Sequence, residues 1–148
     1  MKVSQRSTYG IMAAVDLAMQ SGTSPIQAKA IARRQGIPAR FLEQVLHAMK
    51  NAGLVSSLRG AQGGYVLAKE ASEISVADIL EALDSPFLFR SMNGHSPFGR
   101  KSKAQLLLET VWERVHEAER RVLEAITIET LAEQLRLIEQ KSVLMYHI

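Results

Sequence analysis

Five polar side chains, Arg40, Glu43, Gln44, His47 and Lys50, recur at three- and four-residue spacing and share one face of any helix that carries them. Their chemistry is hydrogen bonding to flat heterocycles and anions rather than bond making. An arginine fork can pair with guanine O6 and N7, a glutamate can accept from cytosine N4, and a glutamine can address adenine or a phosphate. Each well-made base contact discriminates by about 1–3 kcal/mol. Glu43 is the informative member, because a carboxylate facing a polyanion lowers affinity unless it selects a base. Its competing use is an ion pair or cap contact with Arg40 or Lys50. Lys29, Arg33, Arg34 and Lys50 suit phosphates, which bring affinity and salt dependence without sequence information, or are simply solvated.

The elements that must position these groups are well punctuated. Pro38 fits a first helical turn, no Pro or Gly follows until Gly53, and Phe41, Leu42, Val45, Leu46 and Met49 make a single apolar stripe. The predicted helix therefore buries one face and exposes the five polar residues. Val55 to Leu58 and Tyr65 to Leu67 flank Arg59-Gly60-Ala61-Gln62-Gly63-Gly64, a hairpin whose glycines Gly60, Gly63 and Gly64 permit positive φ and whose tip carries Arg59 and Gln62. A helix with an exposed polar face joined directly to a Gly-rich ribbon has the sequence form of a winged helix-turn-helix, whose recognition helix enters the DNA major groove.

Upstream, Ser4 or Ser7 can cap a nearly all-apolar helix running to about Gln20. Gln27 to Gln35 forms a short helix with Ala28, Ile31 and Ala32 inward, and Gly36 turns the chain into the Pro38 helix. Downstream, Ser75-Val76-Ala77-Asp78 has capping-box spacing and opens a helix to Leu83. The segment from Asp84 to Ser102, rich in Pro, Gly and Phe, is too apolar for an idle linker: it covers the neighbouring helix or serves as an effector or contact loop. From Lys103 to Ile126, Ala104, Leu108, Val111, Val115, Ala118, Val122 and Ala125 alternate spacings of 4 and 3, an a/d seam that packs against a second copy or back on its own domain. Thr130 to Glu133 reads as a capping box opening a short last helix to about Leu137. An apolar tail, Ser142 to Ile148, follows.

Mainly α structure with a small β-hairpin wing is thus expected, divided into a DNA-binding domain over 1–84, a contact loop over 85–102, and a dimerisation helix with short helix and tail over 103–148. The 148 residues and 47% hydrophobic content allow a packed core. The formal charge of +3 hides an asymmetry: residues 1–70 hold 9 Lys/Arg against 3 Asp/Glu, and residues 71–148 hold 9 against 12. Only the first half has the electrostatic footprint of a polyanion binder. Asp16 interrupts the apolar start, and no run approaches the ~20 apolar residues of a membrane span, so no membrane association and a cytoplasmic location are expected.

Taken together, several strings resemble one family. They are Tyr9-Gly10, Ile31-Ala32, Gly36-Ile37, Leu42-Glu43-Gln44, Ala52-Gly53-Leu54-Val55, Ser57, Arg59-Gly60, Gly63-Gly64-Tyr65, Leu67, Ala77-Asp78-Ile79 and Thr130-Leu131-Ala132. The chain is similar to the bacterial Rrf-two family of winged helix-turn-helix regulators over nearly its whole length. The resemblance implies a homodimeric repressor or activator on a palindromic operator, with the helix of Arg40 and Glu43 in the major groove and Arg59 in the minor groove. Arg59 there would favour narrow A·T-rich flanks. Cluster-binding members carry three spaced cysteines in the stretch matching Phe87 to Lys103. This chain has no cysteine, so a Cys-ligated iron–sulfur cluster is excluded, and a lone His95 cannot replace three thiolates. No cofactor and no metal site are expected.

Among cysteine-free members the chain looks most like the cysteine-metabolism repressors, a branch whose partner is the enzyme O-acetylserine sulfhydrylase. A free carboxylate behind Ile148, preceded by Tyr146 and His147, can be captured in a site built for a small amino acid; packing in the dimer is the other use of this tail. An enzyme reading finds no catalytic residues: no cysteine, no paired carboxylates near a plausible pocket, and no phosphate loop, since Gly60 to Gly64 lacks a following helix. An interaction module acting through its long helix and tail is the remaining class, and the basic first half argues against it.

Overall fold

The computed structural model describes residues 2–20, 24–84 and 99–146. The first helix, α1 (Gln5–Met19), is capped by Ser4, whose hydroxyl accepts from the Ser7 N–H at 3.1 Å. Buried Ser7 then donates its own hydroxyl to Asp84. α2 (Ala28–Gln35) and α3 (Ala39–Asn51) follow as the helix-turn-helix. The apolar stripe of α3 is the centre of the core: Leu42, Val45, Leu46 and Met49 are fully buried. Phe41 is half-buried, and its ring meets Tyr9 edge-on at 5.4 Å, the favoured geometry for two aromatic quadrupoles.

β1 (Val55–Leu58) and β2 (Gly64–Leu67) pair antiparallel, with Val55 opposite Leu67 and Leu58 opposite Gly64. A single 3-10 turn, Ala71–Glu73, leads to α4 (Val76–Leu83). The predicted capping box opens this helix: the Asp78 N–H donates to Ser75 Oγ at 3.1 Å and the Ser75 N–H to Asp78 Oδ2 at 2.9 Å. Helix α1 crosses α4 closely at Gly10, where a methyl group would have to displace Leu83 and Ile79. That contact outweighs the roughly 0.5–1 kcal/mol that a glycine costs inside a helix.

The long helix α5 (Lys103–Ala125) has a second capping box, from Ser102 and Gln105, that sequence reading passed over. It touches the domain at α4, where Leu123 is buried. The last helix corrects the sequence reading. α6 spans Ile128–Tyr146 rather than ending near Leu137, so the apolar run from Ser142 is helical to Tyr146 instead of forming a tail. Thr127 caps it in place of the expected Thr130, accepting from the Thr130 N–H at 3.1 Å. Nor does α6 stand apart from residues 1–84. Its start is stitched to the segment before α4, with Ile128 N–H donating to the Ile74 carbonyl and Val76 N–H to the Ile126 carbonyl, and Ile128 and Ala132 join the core against α1.

Candidate nucleic-acid interface

Arg40, Glu43, Gln44, His47 and Lys50 are all exposed on α3, opposite the stripe of fully buried residues. A helix fixed along its whole inner face is a rigid mount, which is what reading base edges requires. Among the described residues none of the five side chains has a hydrogen-bond or ion-pair partner. The competing use of Glu43, an ion pair with Arg40 or Lys50, is therefore not made, and its carboxylate is available to an incoming group.

Arg59, Gly60 and Gln62 stand exposed on the wing. The Gly63 N–H closes the turn by donating to the Gly60 carbonyl at 3.0 Å. Gly64 does something the hairpin pattern does not reveal. Beside it, Ile26 and Tyr65 exchange two backbone hydrogen bonds of 2.9 and 2.8 Å, adding the residue just before α2 to the free edge of β2. A Cβ on Gly64 would lie 2.4 Å from the Ile26 carbonyl oxygen, a backbone atom that cannot give way. The missing side chain thus fastens the wing to the helix-turn-helix and fixes Arg59 and α3 on one frame.

The basic cluster of α2 divides into two kinds. Lys29 and Arg33 are exposed with no side-chain partner among the described residues. Arg34 is occupied: its Nε and Nη2 donate to the two carboxylate oxygens of Asp16 at 3.0 and 2.7 Å, and Gln35 Nε2 adds a third donor at 2.8 Å. This fork raises the Arg34 pKa above its ordinary value, the hydrogen bonds to Asp16 outweighing the opposing effect of burial. Asp16, only 2% exposed, pins α1 to α2. Sequence reading grouped Arg34 with the phosphate contacts and gave Asp16 no structural role. Its one signal was a lone carboxylate in an apolar helix, a group that is buried only when paired.

Of the seam on α5, Leu108, Val111, Val115, Ala118 and Val122 are exposed along the helix, and Leu107 and Trp112 widen the apolar strip near its start. Among the described residues, packing back on its own domain centres on the end of the helix at Leu123. Tyr146, at the end of α6, is also exposed; His147, Ile148 and the expected contact loop up to Pro97 and Phe98 lie outside the described residues.

A rigid polar helix face, a cation-tipped wing fastened to it and an adjoining basic helix are the parts of a DNA reader. A family profile described as Rrf2, iron-dependent transcriptional regulator, matches residues 3–134. The chain belongs to the Rrf2 family. It is 35% identical over 132 residues to the HTH-type transcriptional regulator CymR of Bacillus subtilis, covering 89% of this chain and 90% of that protein. The solved structure of CymR, described as the global cysteine regulator of B. subtilis, superposes with a TM-score of 0.73 at 33% identity, over 90% of this chain and 98% of that one. The T. potens IscR structure gives 0.71 at 37% identity, over 91% and 88%. These relatives are transcriptional regulators rather than enzymes, and this Rrf2 chain is a DNA-binding transcriptional regulator with their winged-helix fold.

The iron in the family description finds no matching donor set here. With no cysteine in the chain there is no thiolate for a cluster, and among the described residues no three His, Asp or Glu side chains come together as ligands. Among the same residues, no helix is long and apolar enough to cross a membrane.

Proposed function

We propose that this Rrf2 protein is a homodimeric repressor that reads a palindromic operator without an iron–sulfur cluster, in the control of cysteine or sulfur metabolism. The observation that carries the reading is the α3 face, five exposed and unpartnered polar side chains backed by a fully buried stripe. Arg40, Glu43 and Gln44 address base edges, with His47 beside them, while Lys29, Arg33 and Lys50 neutralise phosphates. Arg59 and Gln62 follow the minor groove from the wing. The exposed seam of α5 supports the homodimer, since a 23-residue helix with an uncovered apolar strip is stabilised by a second copy. The sulfur assignment rests on the likeness to CymR, described as a global cysteine regulator, and on the absence of cysteine from this chain.

Selection of genomic fragments with the purified protein tests the reading. Two inverted half-sites about one helical turn apart are expected. Sedimentation of Val111→Glu/Val115→Glu should show a monomer that has lost the selected site; a variant that remains dimeric and bound would refute the role of the seam. A second reading draws on the exposed apolar end of α6, where Leu144, Met145 and Tyr146 are 64, 78 and 89% exposed. This end, continuing to His147 and Ile148, would dock on a metabolic enzyme such as O-acetylserine sulfhydrylase, with DNA binding secondary. Co-sedimentation with that enzyme, lost on removing residues 144–148, is the result it requires.

A further inference from the structure

A cleft of about 630 Å³ opens between the end of α1, the outer face of β2 and the first half of α6. Its size lies within the range of small-molecule sites, roughly 300–1,000 Å³. The floor is apolar, from Leu17, Tyr65 and Ala132, and the rim carries two cations, Lys69 and Arg136, and two anions, Glu70 and Glu129. These four charges do not neutralise one another. Among the described residues the side chains of Lys69, Glu70 and Glu129 have no hydrogen-bond or ion-pair partner, and Arg136 makes one bond, donating Nη2 to the Ala18 carbonyl at 3.3 Å.

We propose that this cleft binds a small zwitterion of the α-amino-acid class. A simple anion would meet Glu70 and Glu129, a simple cation would meet Lys69 and Arg136, and a neutral apolar molecule would strip water from all four without replacing it. A molecule carrying a carboxylate and an ammonium group on one carbon pairs with both sets. The guanidinium of Arg136 presents the fork that carboxylates favour, and Glu70 and Glu129 offer acceptors to the ammonium group. The apolar floor receives the side chain. Because β2 is bonded to Ile26 just before α2, an occupant touches the joint that holds the wing to the helix-turn-helix, and through Glu129 and Arg136 it also touches α6. The site is thus placed to act as an effector site, although binding itself does not depend on the DNA-reading assignment.

Thermal unfolding of the full chain with each of the twenty proteinogenic L-amino acids, followed by calorimetry of those that raise the midpoint, tests the proposal. A subset should raise the midpoint by several degrees at saturation. Arg136→Gln and Glu129→Gln should each weaken the calorimetric affinity by roughly tenfold or more, as expected for loss of a charge-assisted bond. Lys141→Gln, on α6 outside the cleft, should leave it unchanged, and circular dichroism checks that each variant folds. No shift with any amino acid, or a shift that survives both cleft variants, would overturn the proposal. Neither readout contains DNA, so failure of the operator assignment would leave this result standing, and the reverse holds.

Discussion

Replacing Arg34 by alanine separates a structural cation from its DNA-facing neighbours. In the folded chain the Asp16 carboxylate is 2% exposed and accepts three donors, two of them from Arg34. Removing one partner of a fully buried pair costs roughly 3–5 kcal/mol, because the remaining charge is stranded. The Arg34 side chain is 40% exposed, so water can follow into the space, and pairs open to solvent contribute only about 0–1 kcal/mol. With Gln35 still donating, the expected loss lies between these limits, roughly 2–3 kcal/mol. For a chain of this size that lowers the melting midpoint by roughly 5–10 °C. Urea unfolding followed by circular dichroism measures the loss directly. Asp16→Leu/Arg34→Met should recover much of it, since replacing both partners by apolar groups strands no charge. If Arg34→Ala unfolded like the parent protein while weakening DNA binding as much as Arg33→Ala does, the anchoring role would be refuted and Arg34 would return to the phosphate contacts.

Three further outcomes follow from the interface. Glu43→Ala should relax base preference at one position of each half-site, by about 1–3 kcal/mol, while nonspecific affinity holds or rises; equal weakening on every sequence in a competition assay would remove its base-reading role. Lys29→Ala/Arg33→Ala should leave the unfolding midpoint unchanged and reduce the salt slope of binding by about two if each cation meets one phosphate, which titration at several salt concentrations reads. Gly64→Ala should break the two hydrogen bonds between Ile26 and Tyr65, losing roughly 1–3 kcal/mol locally. Amide exchange of those two residues should then accelerate, whereas unchanged protection would show that the joint tolerates a side chain.

Local chemistry made much of this legible in advance. Pro38, Gly53 and a stripe of apolar residues mark α3 at both ends and along its buried face, so its outer residues could be named from spacing alone. The wing followed from glycines between two short apolar runs, and α4 from the Ser75 and Asp78 box. What escaped depends on partners distant in sequence. Asp16 meets Arg34 eighteen residues later, so an outward basic residue and an inward acid read separately as a solvated charge and an interruption. The bonds between Ile26 and Tyr65 join segments that no local pattern links. At the end of the chain the error had another cause. The apolar character of residues 142–148 suggested a tail, yet neither glycine nor proline occurs between Ile128 and Tyr146 to stop the helix. The charge asymmetry of the two halves did not distinguish cations held by the fold, such as Arg34, from those left exposed, such as Lys29 and Arg33.

The central claim, that the exposed face of α3 and the wing read DNA sequence, is tested most directly by fluorescence anisotropy. The selected duplex and a scrambled duplex of equal composition would be titrated across a range of salt concentrations. A preference for the selected site of about 10³ or more is expected, with a linear fall of log affinity with log salt whose slope reflects several phosphate contacts. Equal affinity for the two duplexes, with little dependence on salt, would contradict it.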